Sequence, residues 1–166
     1  MTTKFRARLW AAALLAIAGA SANTGYSGAS GTAVAASADA HITRASLRAV
    51  LPDASLRAQE TFDRFLAGAM LGRKTSPDAA VRIRQGDTAL WLFGVSATET
   101  GFTGHAAGAS EAIAFTRADI VDWSYAPMGG RMHGNFAARA MMDVLPDHRA
   151  ALIATTLSLD PMPKGW

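Results

Sequence analysis

Residues Ile120 to Arg139 read IVDWSYAPMGGRMHGNFAAR. Apolar and polar side chains alternate on both sides of a Gly-Gly pair, and a period of two sends successive side chains to opposite faces of a sheet. Gly129-Gly130 permits the positive φ angles of a two-residue hairpin turn, so the spacing predicts strands Ile120–Ala126 and Arg131–Val144. With those glycines central, Ala126 faces His133, Tyr125 faces Gly134, Ser124 faces Asn135 and Trp123 faces Phe136. Cross-strand partners share a face. One side then collects Val121, Trp123, Tyr125, Met132, Gly134 and Phe136, a core face on which Gly134 leaves room for the Tyr125 ring. The other collects Asp122, Ser124, His133, Asn135 and Arg139, and is either the solvated side of the sheet or a binding site.

Upstream, the same period recurs. Val81 and Ile83 alternate with Arg82 and Arg84, Gln85-Gly86-Asp87 makes a turn, and Leu90 to Val95 returns as a second strand. Phe102–Ala106 and Ala112–Phe115 are two more short strands, separated by breaks at Thr98–Gly101 and Gly108–Ser110, and Thr116–Asp119 has the spacing of a capping box around one helical turn. Before Val81 the period is helical. Thr43–Leu51 is a first helix ended by Pro52, and Asp53–Leu71 a second, with Ala58, Phe62, Phe65, Leu66, Ala69 and Met70 on one face, Gly72 as its cap and Thr75–Asp78 as the following turn. Asp147–Leu157 is a last helix, entered after Pro146. The expected fold is α+β: N-terminal amphipathic helices on a twisted antiparallel sheet of five to six strands, closed by a C-terminal helix.

Lys4, Arg6 and Arg8, the uncharged run Leu9–Ala20 and the small-x-small step Ala20-Ser21-Ala22 have the form of a secretory signal cleaved after Ala22. The run is too short for the roughly 20 residues of a spanning helix, so no stable membrane anchor is expected after cleavage. Residues 23–40 are a Gly/Ala/Ser-rich flexible tether, and a single domain over 41–160 follows. The chain is 166 residues long, 50% hydrophobic, with 16 basic and 13 acidic residues, a net charge of +3. Removing Lys4, Arg6 and Arg8 with the signal leaves 13 basic against 13 acidic residues, so the excess positive charge belongs to the signal and nucleic acid is not an expected partner. The absence of cysteine excludes disulfides, thiolate metal sites and thiol nucleophiles.

Asp122, Ser124 and His133 on one face invite comparison with a catalytic triad, but a rise of about 3.3 Å per residue separates Asp122 from His133 by roughly 13 Å along the ladder. No G-x-S-x-G elbow surrounds a serine, and no phosphate loop or dinucleotide fingerprint is present. Met128 and Met132-His133 are soft donors without a repeated motif, His41 and His105 stand alone, and neither a metal nor a cofactor is expected.

The run Asp119–Tyr125, the run Gly130–Phe136 and the basic Arg139 resemble the C-terminal signature of the YegJ-like family of bacterial domains of unknown function. Leu90-Trp91-Leu92 and Phe102-Thr103-Gly104 extend the resemblance over residues 45 to 155. Ala137 stands where that family usually carries a hydroxyl residue. The resemblance implies a domain type and no reaction. Two functions follow as expectations for an exported, periplasmic or secreted protein. One is a non-catalytic module that binds a protein or peptide of the cell envelope through Asp122, Ser124, His133, Asn135 and Arg139 or an adjacent groove. The other is a small hydrolase or transferase using His133 with Asp122, Ser124 or Arg139.

Overall fold

The protein is described by a computed structural model that covers residues 44–71 and 79–166. The expected signal at 1–22, the tether at 23–40, His41, the Gly72 cap and the Thr75–Asp78 turn lie outside the described residues. Helix α1 (Arg44–Leu71) is followed by strands β1 (Ala79–Gln85), β2 (Thr88–Ala97), β3 (Phe102–Ala106) and β4 (Ala112–Phe115). A single 3-10 turn (Arg117–Asp119) leads into β5 (Ile120–Tyr125), then β6 (His133–Gly134), α2 (Phe136–Met142) and α3 (Asp147–Thr156). The six strands form one open antiparallel sheet in the order β4-β3-β2-β1-β5-β6, which with the helices makes the fold α+β.

The alternation from Val81 to Leu92 does what its period requires. Val81 lies opposite both Leu92 and Trp123, and all three are buried on the face that meets α1. From α1, Ala54, Ala58, Phe62 and Phe65 enter that layer at intervals of three and four. Aromatic rings run through the core: Phe102 edge-on to Phe62 at 5.0 Å, Phe65 stacked on Trp123 at 4.8 Å, and Trp123 edge-on to Phe136 at 5.5 Å. Polar contacts fix the helix on the sheet. The Gln59 amide donates to the Ile120 carbonyl at 2.8 Å and the Trp123 indole N–H to the Thr61 hydroxyl at 3.0 Å. The Asp119 carboxylate accepts from both the backbone N–H and the hydroxyl of Thr116, as the capping-box spacing predicts, and these bonds hold it below its ordinary range.

Three expectations are corrected. Pro52 does not end a helix, and the two expected N-terminal helices are one continuous α1. Pro52 and Arg48 are both exposed, so the Arg48 carbonyl that loses its i+4 partner is on the solvent side, where water replaces the bond. The expected strand Arg131–Val144 is strand only at His133–Gly134 and becomes α2 from Phe136. The Ala, Arg and Met residues of 137–142 are strong helix formers, and that preference prevails over alternation once pairing stops.

The hairpin register also slips by one residue. The turn is Pro127–Gly130, closed by the Gly130 N–H on the Pro127 carbonyl at 2.8 Å, with Gly129 alone at positive φ (72°). Three residues, Met128 to Gly130, separate the positions in register, so Ser124 faces Gly134 and Tyr125 faces His133. The ring lying over Gly134 is consequently Trp123 rather than Tyr125: a Cβ at Gly134 would fall 2.3 Å from the Trp123 carbonyl oxygen and 2.5 Å from its ring.

Trp123 is fully buried among Phe65, Phe136 and Gly134. Replacing Trp123 with Ala is expected to lower unfolding free energy by about 3–5 kcal/mol in urea titrations. A cost below about 1 kcal/mol would place the ring outside the load of the core.

Candidate functional site

The corner where β6 gives way to α2 gathers the residues singled out by the sequence. Asn135 sits in the left-handed region (φ 53°, ψ 47°), a conformation its short polar side chain tolerates better than most. There its backbone N–H donates to the Trp123 carbonyl at 2.8 Å, and its carbonyl accepts from the Arg139 N–H at 3.0 Å. Its side-chain amide donates to the Ser124 hydroxyl at 2.8 Å and to the His133 carbonyl at 3.1 Å.

Asp122 faces the start of α2 from β5. One carboxylate oxygen accepts the N–H of Trp123 at 2.9 Å and of Phe136 at 3.0 Å; the other accepts the N–H of Ala137 at 3.1 Å. The first amides of a helix have no partner within it, and Asn135 makes no side-chain cap, so a carboxylate from another strand does that work. Arg139 turns back over the same corner, its Nε donating to the Gly134 carbonyl at 2.7 Å and one terminal nitrogen to the Ser158 carbonyl at 2.9 Å. The Nδ1 of His133 meets the Asp160 carbonyl at 2.9 Å, which assigns the proton to Nδ1, and its ring lies 6.3 Å from that of Tyr125.

The expected polar face is thus neither solvated nor an open cleft: Asp122, Ser124 and Asn135 are buried, while His133 and Arg139 are half-buried. Among the described residues no hydrogen bond joins Asp122, Ser124 and His133 to one another, so the structure brings Ser124 to Asn135 and Asp122 to α2 without assembling a triad. Of the four residues given structural roles, Trp123, Gly134 and Phe136 interlock at the core, and Tyr125 packs against Trp166. Met128 is exposed at the tip of the turn.

Sequence reasoning missed several participants. Arg82 lies opposite Asp122 on β1, close enough to favour its charged form, and its buried Nε has no hydrogen-bond partner. Thr61 on α1 receives the Trp123 indole. Packing continues past residue 160 to Met162 and Trp166, with the Trp166 ring over Gly68 of α1, where a Cβ would fall 2.2 Å from it. A glycine inside an otherwise apolar helix face was the available signal, because such a residue often marks a close approach.

Burial pushes the Asp122 carboxyl from its usual 3.8 up to about 6, outweighing the three N–H bonds and Arg82, which pull it down. Burial also lowers Arg139, against the opposing pull of Asp122 and Asp160. Among the described residues no group of three or more His, Asp or Glu side chains is placed to hold a metal ion, and no helix is long and apolar enough to cross a membrane.

The class defined by this geometry is an α+β domain whose buried polar cluster caps a helix and closes a strand-to-helix corner. No protein-family model, curated protein or solved structure matches the chain.

Two outcomes are expected. Because the folded protein holds the Asp122 proton up to about pH 6 and the unfolded chain releases it near 3.8, this group's contribution to stability is complete below about pH 4 and is lost as pH rises through 6. The Tm difference between the wild type and Asp122→Asn should therefore change across that window and be constant above about pH 7. Gly134→Ala should cost roughly 2–4 kcal/mol, since it combines a positive φ with collision against backbone.

Proposed function

We propose that this chain is a non-catalytic binding module, exported through its N-terminal signal and acting on a protein or peptide partner in the cell envelope, in the periplasm or as a secreted protein. The observation that carries this reading is the commitment of the constellation to structure. Asp122 is spent on three backbone amides, Ser124 on Asn135, and Arg139 on two carbonyls, so none of the hydroxyl, carboxylate and imidazole groups of this constellation is paired as nucleophile and base. The YegJ-like resemblance names a domain type and bears on neither reading. With Asp122, Ser124 and Asn135 sealed, the half-buried His133 and Arg139 are the parts of the expected contact surface left to a partner.

Two measurements test this. The exported protein should have the intact mass of a chain beginning at Asn23, and a full-length product retained in the cytoplasm would overturn the export reading. Purified protein offered ester, amide and phosphoester substrates should show no turnover that His133→Ala removes. Turnover abolished in that variant at an unchanged Tm would make the chain a hydrolase or transferase instead.

A further inference from the structure

The two edges of the sheet are finished differently. At one edge β6 is only two residues long and the chain beyond α3 covers it, the Ser158 N–H donating to the Met132 carbonyl at 2.8 Å beside a parallel bridge from Met132 to Leu157. The other edge is β4, Ala112-Ile113-Ala114-Phe115, paired with β3 in unbroken register over all four residues. In an edge strand alternate residues aim their N–H and C=O groups away from the sheet. Among the described residues no backbone hydrogen bond joins β4 to anything but β3. Sheet edges are commonly guarded by a charge, a proline or a bulge, and β4 carries none of them. Ala112 and Ala114 are exposed on the outer face, whereas Ile113 is half-buried and Phe115 buried on the face toward α1. The nearest charges stand just beyond the strand, the exposed Glu111 before it and the exposed Arg117 after it, the latter held in place by Asp63 and the Gln59 carbonyl.

We infer that β4 is the surface through which two copies of this chain pair, edge to edge and antiparallel, into one continuous sheet. A two-fold axis normal to the sheet keeps the core face of one copy beside the core face of the other, so only residues that share a face can oppose one another. Centred on Ala114, such pairing sets Ala114 against its own counterpart, Ile113 against Phe115, and Glu111 against Arg117 at both ends. Alanine at the axis leaves no bulk on the outer face to hold the strands apart. Main-chain bonds supply the affinity, as in strand addition generally. The Glu111 and Arg117 contacts are exposed and add little energy, but they choose direction and register. Parallel pairing would bring Glu111 to Glu111 and Arg117 to Arg117, and a centre at Ile113 would set Glu111 against Phe115. The order of charge along the strand thus makes this edge complementary to itself.

The test is sedimentation velocity of the full chain over a concentration series, together with single-cysteine variants of a sequence that has no cysteine of its own. The wild type should sediment as a reversible dimer. Ala114→Lys sets two ammonium groups against each other at an exposed position and should raise the dimer Kd at least about tenfold with unchanged circular dichroism. Glu111→Lys should raise it about threefold at low salt and less at high salt. Ala114→Cys places a thiol on the axis, where facing Cα atoms lie about 4.5–5.5 Å apart, so mild oxidation with diamide should link the two copies. Ala112→Cys, opposite Thr116 of the second copy, should cross-link at least about tenfold less. A wild-type monomer at about 100 μM, or a dimer whose Kd is unchanged in Ala114→Lys, overturns the proposal. So does equal cross-linking of Ala112→Cys and Ala114→Cys, the outcome of random collision. Should Ala114→Lys fail to fold, the comparison of the two cysteine variants decides.

Discussion

One buried carboxylate joins the sheet to the rest of the corner. Asp122 sits on β5 and accepts the amides of Phe136 and Ala137, two of the groups at the start of α2 that the helix cannot satisfy itself. Holding those amides fixes where α2 begins, and so where Asn135 must turn into the left-handed region and where Phe136 meets Trp123. The cost is a desolvated charge, visible in a carboxyl pushed up to about 6 despite three N–H donors and Arg82. A buried group of this kind is stable only while its partners stay in place, so the corner is specified together or lost together.

Trp123 transmits that arrangement to the core. Its neighbours on the strand, Asp122 and Ser124, face the polar cluster, while its ring stacks on Phe65, meets Phe136 edge-on and covers Gly134. The alternation of β5 thereby serves two buried surfaces rather than one buried and one wet. The segment 157–166 completes the edge, pairing with the short β6 and closing the aromatic cluster with Trp166. A two-residue edge strand offers little pairing of its own, and the added segment covers amides that the edge would otherwise expose.

Much of the sheet was legible in the sequence because a period of two cannot be satisfied by a helix. Val81–Arg84, Leu90–Val95, Phe102–Ala106 and Ala112–Phe115 all fall within strands. Boundaries that depend on competition were not legible. Pro52 lies on an exposed part of α1, where losing one bond is tolerable, and Phe136–Met142 alternates loosely enough to pass for a strand while its composition favours a helix. The one-residue slip follows from a connection one residue longer than a two-residue turn: Tyr125 opposite His133 puts Pro127 in register with Arg131, with Met128, Gly129 and Gly130 between them. The polar residues of the site were found, but their role was not. Asp122 is held by backbone amides fourteen and fifteen residues away, a partnership that carries no side-chain signature in the sequence.

Native-state hydrogen exchange at the amides of Phe136 and Ala137 reads the Asp122 junction most directly. Both should be strongly protected in the wild type, and in Asp122→Ala both should lose protection together with Gly134 and Ser158, before the amides of β1 and β2 do. Wild-type protection of Phe136 and Ala137 in Asp122→Ala would contradict the dependence of the corner on this carboxylate.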